Sequence, residues 1–506
     1  MANMTREALI REDEQTLKRF GYIQELYRTM GGFSNFAISF TIISILSGPF
    51  TLFGFGLFAS GPASAAWGWP IVTVFALLVA LTMAETASAY PTTGGLYFWS
   101  SMLGGPGWGW FTGWFNLIGQ VAITAGIDYG LAIFIDALVN LYAPGFPVSG
   151  QAGSLATLGI YAVLLIAHAW LNISGVKVVA ILNDVSVWWH IVGALVIVGA
   201  LTFFAPHHTH VWSFIYTVSK TATGFPPWYG FLIGLLLASY TITGFDASAH
   251  MSEETVGASS APSWGIVLSV AISGVVGYLL LLAMVAAVPS LTKTLGASNA
   301  VLYVLTTGLG SFAGTLLFVV ALVAMFFCGM SSVTANSRMI YAFARDGGMP
   351  SSATFRKLNA IRSPKNSILL AVILAFLLAV PALWSTVVYT AVTSIGVIGL
   401  FISYVIPALL KLIYPQRFVP GPWNLGGWSR LVGWVSVLWV AFICILFSLP
   451  VVHPITASNF NYTPVVLGVV VIALLVVYFT RVRGRFQGPA ILHQSAESPI
   501  GEGVGD

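Results

Sequence analysis

Apolar runs long enough to cross a lipid bilayer recur twelve times along the chain, separated by polar or glycine- and proline-containing stretches. A spanning helix needs roughly 20 predominantly apolar residues, and the runs lie at 34–59, 65–89, 108–141, 154–172, 184–205, 228–250, 263–288, 312–341, 367–383, 386–411, 430–450 and 463–480. The third and eighth are longer than a bilayer requires and are expected to tilt or protrude. Two runs are interrupted at matching points in the two halves: SILSGPFTLFG (Ser44 to Gly54) in the first, YTITGFDASAH (Tyr240 to His250) in the sixth. In hydrocarbon every backbone amide needs a partner, so a broken helix is tolerated only where the freed groups face protein or a watery cavity. One break per half points to the substrate site of a secondary transporter made of inverted repeats.

The predicted fold class is therefore all-α integral membrane, with twelve transmembrane helices in a five-plus-five inverted repeat. Residues 33–206 form the first repeat, 228–412 the second, and 429–482 hold segments eleven and twelve; together they make a transport domain over 33–483. Tails at 1–32 and 484–506 flank it. Because five is odd, the second repeat enters from the opposite side of the membrane. A parallel repeat of six spans each is the competing architecture, but it gives no reason for the breaks to head segments one and six.

Composition excludes a soluble core: 57% of residues are apolar and 7% charged, with a mean hydropathy of +0.89. With the N-terminus inside, eighteen of the twenty Lys and Arg fall in internal loops, leaving Lys220 and Lys293 outside. Both termini are thus expected to be cytoplasmic, in a multi-pass protein of the cell (plasma or inner) membrane. The net charge of +4 and pI near 9.0 follow from this asymmetry and are no argument for nucleic-acid binding. A polar stretch of about 30 residues precedes the first span, so no cleavable signal peptide is expected. Cys328 and Cys444 fall inside spans and read as small apolar residues. The histidines of Pro206 to His210 (PHHTH) lack a nearby Cys or carboxylate and read as a solvated loop rather than a metal site.

The breaks suggest a ligand chemistry. An anion is favoured at a half-helix N-terminus and an ammonium at unpaired carbonyls, so a small zwitterion fits both. The candidate substrate residues are Ser47, Gly48, Phe50 and Thr51 in segment one, with Gly48 and the amides after Pro49 receiving a carboxylate. In segment six they are Tyr240, Thr241, Thr243, Gly244, Phe245 and Asp246, with carbonyls around Thr241 to Gly244 receiving the amine. Asp246 either strengthens the amine site or caps the second half-helix; Tyr240 and Phe245 would form an aromatic lid. In segment three, Asn116, Gln120, Thr124 and Asp128 recur every fourth residue and share one face. Such groups at membrane depth belong in the bundle interior: Gln120 and Thr124 are candidates for the substrate, Asp128 for a proton relay. Asp136 lies nearer the surface and reads as solvated. Glu85, Glu253, Glu254, Arg338 and Arg345 cluster at cytoplasmic ends as candidate gate charges, and the uncharged Pro91 to Gly107 is expected to dip back as a covered loop.

Three motifs carry a family resemblance: AETASAYPTTGGLYFW (Ala84 to Trp99), TGFDASAHMSEET (Thr243 to Thr255) and NSRMIYAFARDGGMP (Asn336 to Pro350). Together, over about residues 20 to 485, the chain resembles the amino acid, polyamine and organocation permeases, most closely the amino acid/choline transporter branch that includes GABA permeases. Ser47-Gly48-Pro49-Phe50 departs from the glycine-serine-glycine type of break frequent in such proteins, and proline removes one amide donor. The resemblance implies the same twelve-helix fold and carriage of a small amino acid or amine such as GABA by alternating access, without a cofactor. Sodium-coupled proteins of this fold use hydroxyls on the eighth helix, for which Ser331 and Ser332 are the counterparts here. Some proton-coupled ones place a lysine on the fifth, where this chain has His190. Proton symport is accordingly expected, with His190 and Asp128 as coupling candidates. A sodium symporter, an exchanger, a choline or polyamine carrier, and a nutrient-sensing protein on the same fold are the alternatives. An enzyme is not expected, since no HExxH, paired-histidine motif or nucleophile elbow appears among the spans.

Overall fold

The computed structural model describes residues 5–147, 150–206, 211–218, 222–385 and 387–492. Among these, eleven helices are long and apolar enough to cross a membrane. The remaining span is segment six, which is assembled from Pro227–Gly234, Leu236–Thr241 and Ala247–His250 with residues 242–246 unwound between the last two. Segment one is broken as well, into Gly32–Ile43, Gly48–Thr51 and Phe53–Ser60. The chain is therefore an all-α, multi-pass membrane protein of twelve spans.

The unbroken spans are Trp69–Ala89, Pro106–Tyr142, Gly150–Ile173, Val176–Phe204, Ala261–Ala286, Ser311–Arg345, Lys365–Ala379, Val388–Ile413, Ser429–Leu446 and Thr463–Val477. Segment five begins at Val176 rather than at 184. Its polar first turns are absorbed, Asn183 by the Val179 carbonyl and Asp184 by the Ser34 hydroxyl, so polarity there does not mark a loop.

Segments three and eight, of 37 and 35 residues, are the longest helices. Each follows a short connecting helix, Leu96–Gly104 before the third and Ala300–Leu309 before the eighth. This correspondence, together with the breaks in segments one and six, is the internal repeat of the five-plus-five fold. Segment three lies against segment ten at backbone distance: a Cβ on Gly119 would fall 2.6 Å from the Leu400 amide, and one on Gly399 3.0 Å from the Gly119 Cα. Small residues permit such approach where no water drives helices together.

Two stretches expected to be irregular are folded. The uncharged run after segment two forms the buried helix Leu96–Gly104, with Thr92 and Thr93 fully covered. The N-terminal region, expected to be a tail, carries the helix Arg6–Arg19, capped by the Thr5 hydroxyl.

Candidate functional site

The two breaks touch. A Cβ on Gly48 would lie 2.6 Å from the Thr241 side chain and 2.8 Å from its Cα. Gly244, at φ +84, has Ile42 Cγ2 only 2.2 Å from where its Cβ would be. Around this contact the backbone leaves opposite groups unused. In segment one the amides of Ile45, Leu46 and Phe50 have no partner among the described residues, whereas those of Ser47 and Gly48 are taken by the Ser44 carbonyl. The Gly48 amide, expected to receive a carboxylate, is thus occupied. In segment six the carbonyls of Thr241, Ile242 and Thr243 accept nothing among the described residues. The Thr241 and Thr243 hydroxyls bond back to Leu237 and Tyr240, so these side chains hold the break rather than offer donors to a ligand.

Each break is pinned by buried side chains. Ser44, left-handed at φ 44, meets His190 Nε2 at 2.7 Å and receives the Ser47 amide at 3.1 Å. His190 Nδ1 reaches the Ser186 carbonyl at 2.8 Å. The Cys328 thiol donates to the Ile42 carbonyl at 3.1 Å, so this cysteine is a tie between segments eight and one as well as a small filler. In segment six, Asp246 makes no side-chain cap. Its carboxylate instead accepts from Asn116 Nδ2 (3.0 Å), Gln120 Nε2 (2.9 Å) and the Tyr404 hydroxyl (2.7 Å), and meets His250 Nε2 at 3.1 Å. Neither the cap nor a free amine-binding carboxylate describes it. The Tyr404 hydroxyl also accepts the Gly244 amide at 3.1 Å.

The polar face of segment three is real, but its members are distributed among neighbours. Asn116 and Gln120 serve Asp246; Thr124 pairs with Ser332 at 2.8 Å; Asp128 meets His168 of segment four at 3.2 Å, both fully buried. Ser331 bonds to Asn183 at 2.6 Å. His190, a coupling candidate, and Ser331 and Ser332, the sodium-site candidates, each have separate partners. Asp136 is 5% exposed and held by Thr157, not solvated. Tyr240 packs over Gly126, where a Cβ would lie 2.7 Å from its hydroxyl, while Thr51 and Tyr389 crowd Gly130 in the same way. Phe50 and Ser47 are buried beside them. The Phe245 ring is buried and sits against Tyr404, 4.8 Å between centroids, and Phe401.

At the face that carries the N-terminus, the charged residues form two buried ion pairs. Arg345 makes a bidentate contact with Glu253, at 2.9 and 3.0 Å, and Arg338 Nε meets Glu254 at 2.9 Å. Glu253 Oε1 also accepts the Thr93 amide at 3.1 Å, which ties in the buried loop. Burial alone would raise the Glu253 pKa, but the Arg345 guanidinium and the Thr93 amide hold it below its ordinary 4.5. Burial does raise that of neighbouring Asp346, against Arg345 and the Tyr22 and Tyr97 hydroxyls. Glu85 stands apart from the cluster: it pairs with Lys411 and accepts the Ser429 hydroxyl and the Leu425 amide, joining segments two, ten and eleven.

The N-terminal segment clasps this cluster, which the sequence did not suggest. Asp13 accepts the amides of Gly257 and Ala258 at 2.8 and 2.9 Å, and Arg28 donates to the carbonyls of Ser252 and Thr255. Met30 pairs with Thr255 as an isolated bridge, and Tyr22 donates to Asp346 at 2.6 Å beneath the Arg345 guanidinium. At the opposite face a cavity of about 140 Å³ is lined by Phe55, Phe58, Val387, Thr390 and Tyr462. No group of three or more metal-ligating side chains occurs among the described residues; His207 to His210, and Lys220, lie outside them.

The sequence pattern does not single out His250, Tyr404 or His168. His250 had a signal, since it stands four residues after Asp246 in the quoted motif and shares its helix face. The other two come from distant segments with nothing in the local pattern to link them.

The family profile described as amino acid permease matches residues 30–472. Over 492 residues the chain is 42% identical to the amino-acid permease BAT1 of Arabidopsis thaliana, covering 94% of this chain and 95% of that protein. It is 38% identical over 495 residues to a BAT1 homolog of Oryza sativa, covering 94% of both. It is 30% identical over 494 residues to the GABA-specific permease of Saccharomyces cerevisiae, covering 94% and 86%. With its broken first and sixth spans and a match across nearly its whole length, the chain belongs to the amino acid permease family, a membrane transporter of amino acids and not an enzyme.

Proposed function

We propose that this transporter carries a small zwitterionic amino acid, GABA among the candidates, by proton-driven symport with alternating access. The observation that carries the reading is the contact of two breaks with opposite needs. Segment one has unpaired donors at Ile45, Leu46 and Phe50, and segment six unpaired acceptors at Thr241 to Thr243. A carboxylate on the first and an ammonium on the second meet both, whereas choline or a polyamine leaves the donors unmatched. Against sodium stands the occupation of Ser331 and Ser332 by Asn183 and Thr124.

In this reading residues 33–206 and 228–412 are the two repeats, both termini are cytoplasmic, and the membrane is the cell membrane. The pairs Glu253–Arg345 and Glu254–Arg338 form the inner gate, closed here, and the cavity at Phe55 and Thr390 is the outer approach. The GABA-specific permease of yeast supports GABA as a member of the test panel. Purified protein in liposomes, offered labelled amino acids, GABA, polyamines and choline, accumulates a zwitterion under an inward pH gradient alone. Accumulation only under a sodium gradient overturns proton symport; counterflow without accumulation under either gradient makes the protein an exchanger.

A further inference from the structure

Buried histidines can be read by counting protons, because a carbonyl oxygen only accepts and an imidazole nitrogen facing it must carry hydrogen. His190 is complete when neutral. Nδ1–H donates to the Ser186 carbonyl at 2.8 Å, and Nε2 accepts from the Ser44 hydroxyl at 2.7 Å, whose oxygen in turn accepts the Ser47 amide. Both ring nitrogens have partners without a further proton.

His250 is different. Its Nδ1 faces the Thr93 carbonyl at 3.2 Å and so carries hydrogen, while Nε2 faces Asp246 Oδ2 at 3.1 Å. A neutral ring would set its remaining lone pair against a carboxylate, both wholly buried. Asp246 Oδ2, the oxygen that His250 faces, already accepts from Asn116 and Gln120, and Oδ1 accepts from Tyr404; three donors favour the ionised carboxylate and leave the additional proton on the ring. We infer that the His250–Asp246 pair in segment six is the site at which this transporter holds its coupling proton, as imidazolium against carboxylate. The inference rests on the proton-symport reading above.

Connectivity on both sides makes the pair a coupling element. Toward the substrate breaks, Tyr404 joins Asp246 Oδ1 to the Gly244 amide, next to the unpaired carbonyls. Toward the gate, Thr93 joins His250 to Glu253, which holds Arg345. Loss of the proton leaves one uncompensated negative charge and two opposed lone pairs in a dry site, so the pair separates and both connections shift. The titratable or charged groups around it are few. Segment ten presents Tyr404; segment three presents the neutral Asn116 and Gln120; segment one presents Asn35 and Ser39. Segment eight's Arg338 and Arg345 are taken by Glu254 and Glu253, and segment seven offers Gly265 against Ser248.

The test uses His250→Gln and the wild type in liposomes, with two readouts: counterflow of labelled amino acid, and accumulation under an inward pH gradient. The wild type performs both; in His250→Gln the ratio of pH-driven accumulation to counterflow falls by a factor of ten or more, whatever the change in counterflow itself. Undiminished pH-driven accumulation by His250→Gln overturns the assignment while leaving proton symport intact. Wild-type counterflow without pH-driven accumulation removes proton symport itself, and the assignment with it. If His250→Gln does not fold, nitrogen-15 spectra of the wild type and of His168→Gln, labelled at histidine, decide at pH 7.5. A buried imidazole protonated at both nitrogens that persists in His168→Gln supports the pair, and its absence from the His168→Gln spectrum overturns it.

Discussion

Gly48 and Gly244 carry the close approach of the two breaks, and each excludes a methyl group for its own reason. At Gly48 the obstruction includes the Thr241 backbone, which cannot swing aside; at Gly244 a positive φ adds strain to a clash with Ile42. Gly48→Ala is expected to cost about 1–3 kcal/mol as an overpacked contact, read by thermal unfolding, with substrate binding falling alongside; Gly244→Ala costs more. His190→Asn is expected to weaken uptake, because Ser44 loses the acceptor that fixes its left-handed turn, yet the remaining uptake keeps the wild-type pH profile. A flattened profile would return the coupling role to His190. Both breaks were legible in the sequence because glycine and proline at membrane depth demand an explanation. The ligand of each side chain was not. Asp246 is surrounded by Asn116, Gln120 and Tyr404 from two other spans, and nothing within its own segment announces them.

At the scale of elements, segment six and the N-terminal segment act on one another. Arg338→Ala leaves Glu254 charged and buried without its partner, a change worth about 3–5 kcal/mol, and is expected to open the proposed gate to labelling of Thr93→Cys. Removing residues 5–19 takes away Asp13, which receives the amides of Gly257 and Ala258, and is expected to raise the same labelling several-fold with uptake retained. Unchanged labelling would make the clasp a passive packing element. The Glu253 pKa lies below its ordinary 4.5, so the contribution of its pair with Arg345 is present above that value and lost only as pH falls through the lower folded one. Between about pH 5 and 8 this charge is constant, and, if the pair gates transport as proposed, Glu253→Gln should change transport rate without changing the pH profile. Span positions were readable from apolar length alone. The helix Arg6–Arg19 and the first turns of segment five were not, since both are polar in sequence and are covered only by residues far along the chain.

For the whole molecule, ion pairs close one face and a cavity opens at the other, with the touching breaks between them, which is the arrangement the proposed alternating access asks of one of its end states. Twelve spans with a broken first and sixth followed from the sequence because the bilayer leaves the backbone few options. The choice among ligands depends on which backbone groups stay unpaired once the halves meet, which only the folded chain reveals. The most direct test of the central claim is competition for counterflow by three forms of one small amino acid: the zwitterion, its methyl ester and its deaminated acid. The account predicts that the zwitterion competes, while the ester, lacking a carboxylate for segment one, and the acid, lacking an ammonium for segment six, each lose competition by about tenfold or more, the effect of one lost charge-assisted contact of about 1.5–3 kcal/mol. Equal competition by the ester or by the acid would contradict it.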